Sequence, residues 1–361
     1  MRSKILILCT HPKGSAPSQR FRFEQYISIL KDRGFEVIQE SFLDRKTHKI
    51  LYSPGHSIKK FFGVLRGFFH RAKLIVHIRN YDYVFIHLEA CPVGPPIFES
   101  IILGLNIPII YDIDDAIFMK RMSNNSIWSS SLKWPSKVKF ITKHALKVIA
   151  VNDYLYGWAC RFNDSVTVIP TTIDPQIHKS ENKISLNPIP IIGWTGTHTT
   201  VPYLDIVRLC LQEIQKTHKF IFHVICNIDP RFDELSGYRF IKWNKVTEIK
   251  DLSRFDIGIM PVPEIPWAKG KVGFKAIQYG ALGIPSVVSN VGSSSDVVRN
   301  GITGYVVENN ANEWCKYLIK LIENKELREK FGKAALGRIL ERYSTDAQSK
   351  NYINLFSNGV E

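Results

Sequence analysis

Strand and helix signals alternate twice along this chain, and that double alternation leaves few folds open. Residues 4–9 are an apolar run of strand length. Residues 20–33 carry Phe23, Ile27 and Leu30 at helical spacing, Gly34 stops the run, and 35–38 form a second strand. Strand, crossover helix and strand make the neighbouring strands parallel. The alternation continues through strands at 83–87, 108–111, 148–151 and 166–169. A polar, proline-bearing stretch, 181–190, interrupts it. It then restarts with a strand at 191–194, a small-residue loop at 195–200, a helix over 203–217 and strands at 220–226 and 256–260. The pattern predicts two similar α/β domains, 1–175 and 191–345, joined by a linker, 176–190. A last helix, 346–361, is expected to return to the first domain.

The length, 361 residues, suits two domains, and 45% hydrophobic content is ample for their cores. Lys and Arg number 48 against 33 Asp and Glu, a net charge of +15 that calls for an anionic partner. The six cysteines are scattered without CxxC pairs and read as reduced thiols. No apolar run approaches the ~20 residues of a membrane span. The expectation is a cytoplasmic protein, peripheral at most on the inner face of a membrane.

Within the second domain one stretch stands out. Residues 273–282 have helical apolar spacing, closed by Gly283 and Pro285, yet Lys269, Lys271 and Lys275 crowd the start of this helix. The helix dipole already places about half a positive charge there, so cations are unfavourable unless an anion sits among them. Lys275 and Gln278 lie one turn apart and would approach the same ligand. Three solvated surface lysines are the alternative reading.

In the first domain, Asp112-Ile-Asp-Asp115 ends a strand, and clustered carboxylates need a cation, a base or ligand hydroxyls beside them. The loop after the first strand carries Ser15, Ser18, Arg20 and Arg22 at the sheet edge where ligands bind in such folds, but no GxGxxG. Residues 57–79 mix six Lys and Arg with phenylalanines at helical spacing. A helix of this kind can lie on an anionic membrane; its main task is expected to be covering the sheet, its lysines solvated. Residues 123–136 read as a loop or lid.

Six segments together resemble the GT-B glycosyltransferases. They are Tyr111-Asp-Ile-Asp-Asp115, Val168-Ile-Pro-Thr-Thr-Ile-Asp174, Ile192-Gly-Trp-Thr-Gly-Thr197, Asp256-Ile-Gly-Ile-Met-Pro261, Gly270-Lys-Val-Gly-Phe-Lys-Ala-Ile-Gln-Tyr279 and Gly301-Ile-Thr-Gly-Tyr305. The similarity is to the retaining, nucleotide-sugar-dependent group that builds bacterial polysaccharide and lipopolysaccharide. It implies two Rossmann-like domains with parallel sheets facing a central cleft, acceptor in the first and nucleotide-sugar in the second. Donor contacts are then expected from Gly196, Thr197, Trp243, Asn244, Lys271, Gly273, Phe274, Lys275 and Gln278. Gly270 and Gln278 stand where most relatives carry the two glutamates of an E-x7-E pattern. Asp114 and Asp115 fall where many relatives have a His-Asp pair beside the transferring sugar.

The resemblance implies sugar transfer to a saccharide or lipid-linked saccharide, with retention, no metal and no cofactor. Lys271, Lys275 and the Gly196 loop amides would hold the departing diphosphate, with Asp114, Asp115 and Lys275 as the catalytic set. Ser18, Arg20 and Arg22 are the expected acceptor residues. The partners expected are a nucleotide-sugar and a saccharide or lipid-linked acceptor and no nucleic acid, with peripheral contact to an anionic membrane through 57–79 as the second reading of that basic amphipathic stretch. The rivals are a metal-dependent transferase using Asp112 and Asp114, a nucleotide-sugar 2-epimerase, a basic nucleic-acid- or anion-binding protein and a non-catalytic sugar-nucleotide sensor.

Overall fold

The computed structural model describes residues 3–51, 53, 55–119, 134–179 and 188–357. The middle of the expected linker (180–187) and nearly all of the expected lid (123–133 of 123–136) lie outside the described residues. The chain divides into two compact units, 1–171 with 348–361, and 172–347.

The first unit is built on six parallel strands: β1 (Lys4–Cys9), β2 (Glu36–Ser41), β3 (Tyr83–His87), β4 (Ile109–Ile113), β5 (Lys147–Ala150) and β6 (Val166–Val168), in the order β2-β1-β3-β4-β5-β6. β1, β3 and β4 are buried along almost their whole length, so they read as near-continuous apolar runs and not as alternating ones. Ile5, Ile7, Phe85, Ile110 and Ile149 form a core with Phe23, Tyr26 and Leu30. The Thr345–Asn354 helix adds Tyr352, whose ring stacks on Tyr26 at 3.8 Å. The helix expected over 20–33 is broken into Pro17–Arg20, a 3-10 turn at Glu24–Tyr26 and Ile27–Asp32. Buried side chains between the pieces hold other backbone: the Gln19 amide, for instance, bridges the main chain of His11.

The second unit repeats the plan with β7 (Ile191–Thr195), β8 (Ile221–Cys226), β9 (Tyr238–Lys242), β10 (Ile257–Met260), β11 (Ser286–Ser289) and β12 (Gly304–Val307), ordered β12-β11-β10-β7-β8-β9. Alternate residues serve opposite faces. Ile192, Trp194, Phe222 and Val224 meet the Asp205–Gln215 and Ala311–Glu323 helices, while Ile191 and Ile225 meet Leu252, Phe255, Tyr279 and Leu282. β11 begins directly after Pro285, which has no N–H to give the ladder. In each sheet the strand order reverses once, between β1 and β3 and between β7 and β10. Ligands in open parallel sheets bind outside the carboxyl ends at such reversals.

The 57–79 stretch packs on the first unit with Lys59 and Lys73 exposed, as expected, but not by the face its phenylalanines suggested. The Ser57–Val76 helix lies there through Gly63, Gly67 and Arg71, while its phenylalanines at 61, 62 and 69 face outward.

Candidate functional site

At the reversal in the second unit, the Phe274–Ala281 helix is anchored by Tyr279. Its hydroxyl accepts from the Thr195 amide (3.1 Å) and donates to the Ile259 carbonyl (3.2 Å), tying the helix to the carboxyl ends of β7 and β10. Gly273 caps the helix start with φ 71°, a left-handed conformation that a residue with a Cβ avoids. Lys271 and Lys275 each lie over a tryptophan: the Lys275 ammonium is 5.6 Å from the Trp194 ring centroid, and Lys271 is 5.6 Å from that of Trp267. Both are half-buried, whereas Lys269 is exposed. Burial, and then Lys271 beside it, lower the Lys275 ammonium to about 8. No carboxylate neutralises Lys275 among the described residues. The arrangement is a half-buried cation at a positive helix end, which an anion would relieve.

The neighbouring loop corrects one expectation. The amide of Gly196 is taken up by the Ile225 carbonyl (3.0 Å), that of Thr197 by Thr200 Oγ1 (3.2 Å) and that of His198 by Asn227 Oδ1 (2.8 Å). These N–H groups already have partners, so they are not open donors for a diphosphate. Glycine is required at 196 for a steric reason: a Cβ there would collide with the Trp194 ring. Gln278 is buried and its amide nitrogen reaches Glu248 Oε1 at 3.4 Å. The Trp243 indole N–H donates to the same oxygen at 3.2 Å. Sequence reasoning missed Glu248, which lies 30 residues from Gln278 and carries no local signal. Asn244 is exposed and Phe274 half-buried; the Asn244 side chain accepts from the Val246 amide, closing a local turn.

At the reversal in the first unit lies a buried chain of charges. Arg22, expected to meet an acidic acceptor, has no exposed side-chain surface. It forms a two-pronged ion pair with Asp112, and its remaining prong donates to the Ile169 carbonyl at 2.6 Å. A buried aspartate at the end of a central strand demands a cation, and Arg22 supplies it. Burial alone would raise the Asp112 carboxyl, but Arg22 and then His87 bring it down to about 2. Asp112 Oδ2 takes both Arg22 and His87 and Oδ1 takes Arg22, so the carboxylate already has its counter-ion.

His87, at the end of β3, meets the same aspartate through Nδ1 at 2.8 Å and packs its ring 5.3 Å from that of Phe23. Its Nε2 lies 4.0 Å from Asp114 Oδ2. His87 Nε2 and Asp114 Oδ1 are both buried without a hydrogen-bond partner among the described residues. Burial, with Asp112 and Asp115 near, lifts the Asp114 carboxyl to about 6 in spite of His87. Burial would lower the His87 imidazole, but Asp114 and Asp112 raise it. The pair can hold a proton and offers one donor and one acceptor to a ligand hydroxyl. His87 was missed as well, although a polar residue closing the apolar run 83–87 is a legible signal. Asp115 accepts from the Ala116 amide (2.9 Å). Ser18 and Arg20 are half-buried on the Pro17–Arg20 helix, the Arg20 guanidinium 4.7 Å from the Phe21 ring centroid.

Known proteins extend this geometry. Residues 252–338, which contain the Phe274–Ala281 helix, match the family model "Glycosyl transferases group 1". A 64-residue stretch is 34% identical to a poly(ribitol-phosphate) alpha-N-acetylglucosaminyltransferase of Staphylococcus aureus, covering 18% of this chain and 13% of that one. A crystal structure of a glycosyltransferase from Rickettsia africae superposes with TM-score 0.70 at 16% identity, covering 98% of this chain and 97% of the other. The HepE protein of Anabaena, in complex with UDP, superposes with TM-score 0.68 at 13% identity over 99% and 100% of the two chains. The second unit therefore carries a segment matching the group 1 glycosyl transferases, and the chain has the two-sheet GT-B fold of these solved glycosyltransferase structures.

Proposed function

We propose that this protein moves a sugar from a nucleotide-sugar to a saccharide or lipid-linked saccharide acceptor, with retention, without a metal or other cofactor, in cell-surface polysaccharide assembly at the inner face of a membrane. The observation that carries the reading is Lys275, half-buried at a helix start beside Lys271 and without a carboxylate partner. A departing nucleoside diphosphate is the anion that such a place suits. As the sugar–phosphate bond breaks, negative charge grows on the diphosphate and positive charge on the sugar. Lys271, Lys275 and the dipole of the Phe274–Ala281 helix stabilise the first. In the first unit, Asp114 accepts from a sugar hydroxyl and His87 Nε2 donates to one, Asp112 and Arg22 fixing the imidazole. Support for a uridine nucleotide comes from HepE, which shares the fold and holds UDP. Support for a polymeric acceptor comes from the staphylococcal relative, which is named for poly(ribitol-phosphate).

The test is a thermal-shift panel of nucleotide-sugars in EDTA, followed by product analysis with and without acceptor. A true donor at a hundred times its Kd should stabilise the second unit by about 2.7 kcal/mol. Turnover should survive EDTA. Epimerised donor without transfer would replace this reading with the epimerase. Absence of any nucleotide effect, with salt-sensitive retention on DNA, would replace it with a basic nucleic-acid-binding protein.

A further inference from the structure

The Ser57–Val76 helix packs Phe68 against Phe42 and Phe98 but carries a second set of apolar residues on the side away from the core. Ile58, Leu65 and Ala72 recur every seven residues, as do Phe62, Phe69 and Val76, and all six are exposed. With Phe61 they span about 100° of the helix surface. Phe61 is 63% exposed, Phe62 59% and Phe69 69%, in a chain where most large apolar side chains are buried. A third row, Lys59, Arg66 and Lys73, runs beside them and is exposed too. The helix contains no Asp or Glu.

The outward facing is built in. At Gly63 a Cβ would collide with Thr47, and at Gly67 it would lie 2.7 Å from the Phe42 ring, so the glycine face is the one that fits against the unit. Arg71 fixes the rotation: buried, it donates to the carbonyls of Ala90 (3.0 Å), Cys9 (2.8 Å) and Glu40 (3.0 Å). Turning the phenylalanines inward would tear out this buried guanidinium.

We propose that this face docks on an anionic lipid surface, the phenylalanines entering the headgroup–acyl boundary and Lys59 and Lys73 meeting acidic headgroups, while Arg66 is paired with Asp44. The inference rests on the proposed reaction at a membrane face and names the surface that brings the protein there. An amphipathic helix with a basic flank and aromatic apolar residues binds by buried apolar area plus attraction to anionic lipid. The net charge of +15 acts in the same direction. The apolar spacing also suits a second copy of the helix. Antiparallel pairing, however, would bring Lys59 and Lys73 of one copy against the same basic row of the other, with Asp44 beside Arg66 as the acid in that row.

The test is flotation of the full-length protein with vesicles of phosphatidylcholine alone and with 30 mol% (about a third) phosphatidylglycerol, a composition chosen for its surface potential. Wild type should bind the anionic vesicles about tenfold more tightly. Phe61→Ser with Phe62→Ser and Phe69→Ser should lower binding to both by about tenfold or more while keeping the wild-type circular dichroism. Lys59→Glu with Lys73→Glu should remove only the preference for the anionic vesicles. Equal binding to the two vesicles, or a triple serine variant that binds as wild type does, overturns the proposal. So does a wild-type dimer in sedimentation that the serine variant converts to monomer, which would assign the face to self-association. None of these measurements involves sugar transfer, so failure here and failure of the nucleotide panel are separate results.

Discussion

Replacing Asp114 by asparagine should stabilise the first unit and disable transfer in the same variant. The carboxyl is lifted to about 6 from an ordinary 3.8, chiefly by burial. A raised carboxyl contributes stability that is complete below the unfolded value and disappears as pH rises through the folded one. Above pH 6 the folded state therefore carries the cost of a buried carboxylate. A gap of about two pH units is worth about 3 kcal/mol at pH 8, and about half that at pH 5, where the unfolded carboxyl is ionised and the folded one is not. Asp114→Asn removes the ionisable group and keeps the shape. For a unit of this size the melting temperature should rise by about 5–10 °C at pH 8 and by much less at pH 5. Differential scanning calorimetry of the two proteins at both pH values gives the answer. A gain as large at pH 5 as at pH 8, or a loss at pH 8, would refute the assignment of a raised, burial-dominated carboxyl.

Lys275→Ala should lower turnover by about 10²–10³, with the fold intact and nucleotide-induced stabilisation lost; near-normal turnover would remove the lysine from the diphosphate site. Gly196→Ala forces a methyl against the Trp194 ring and should destabilise the second unit by about 1–3 kcal/mol, read as a lower urea midpoint. An unchanged midpoint would mean that the loop adjusts freely.

How far the sequence carried the reading differs from element to element. The central strands of both sheets were legible because a strand covered on both faces must be apolar throughout, and such runs recur between helical periods at regular intervals. Lys271 and Lys275 were legible because charge at a helix start is anomalous within one turn, without any knowledge of distant residues. The Asp112–Asp115 cluster announced that a cation or base was needed, but not which one. Arg22, expected at the surface, is 90 residues away from Asp112 and becomes its counter-ion only when the sheet edge closes over it. His87 and Glu248 entered in the same way, as partners brought by folding to Asp112 and Gln278.

The sequence by itself determined the double α/β plan, the places where each sheet would end in polar loops, and the excess of positive charge over one helix and one loop. Only the tertiary structure decided which face of the Ser57–Val76 helix is hidden, which arginine is buried and which amides of the Gly196 loop have partners. Periodicity and local charge are properties of neighbouring residues. Which face fits a surface, and which charges meet, depend on contacts between residues far apart in the chain.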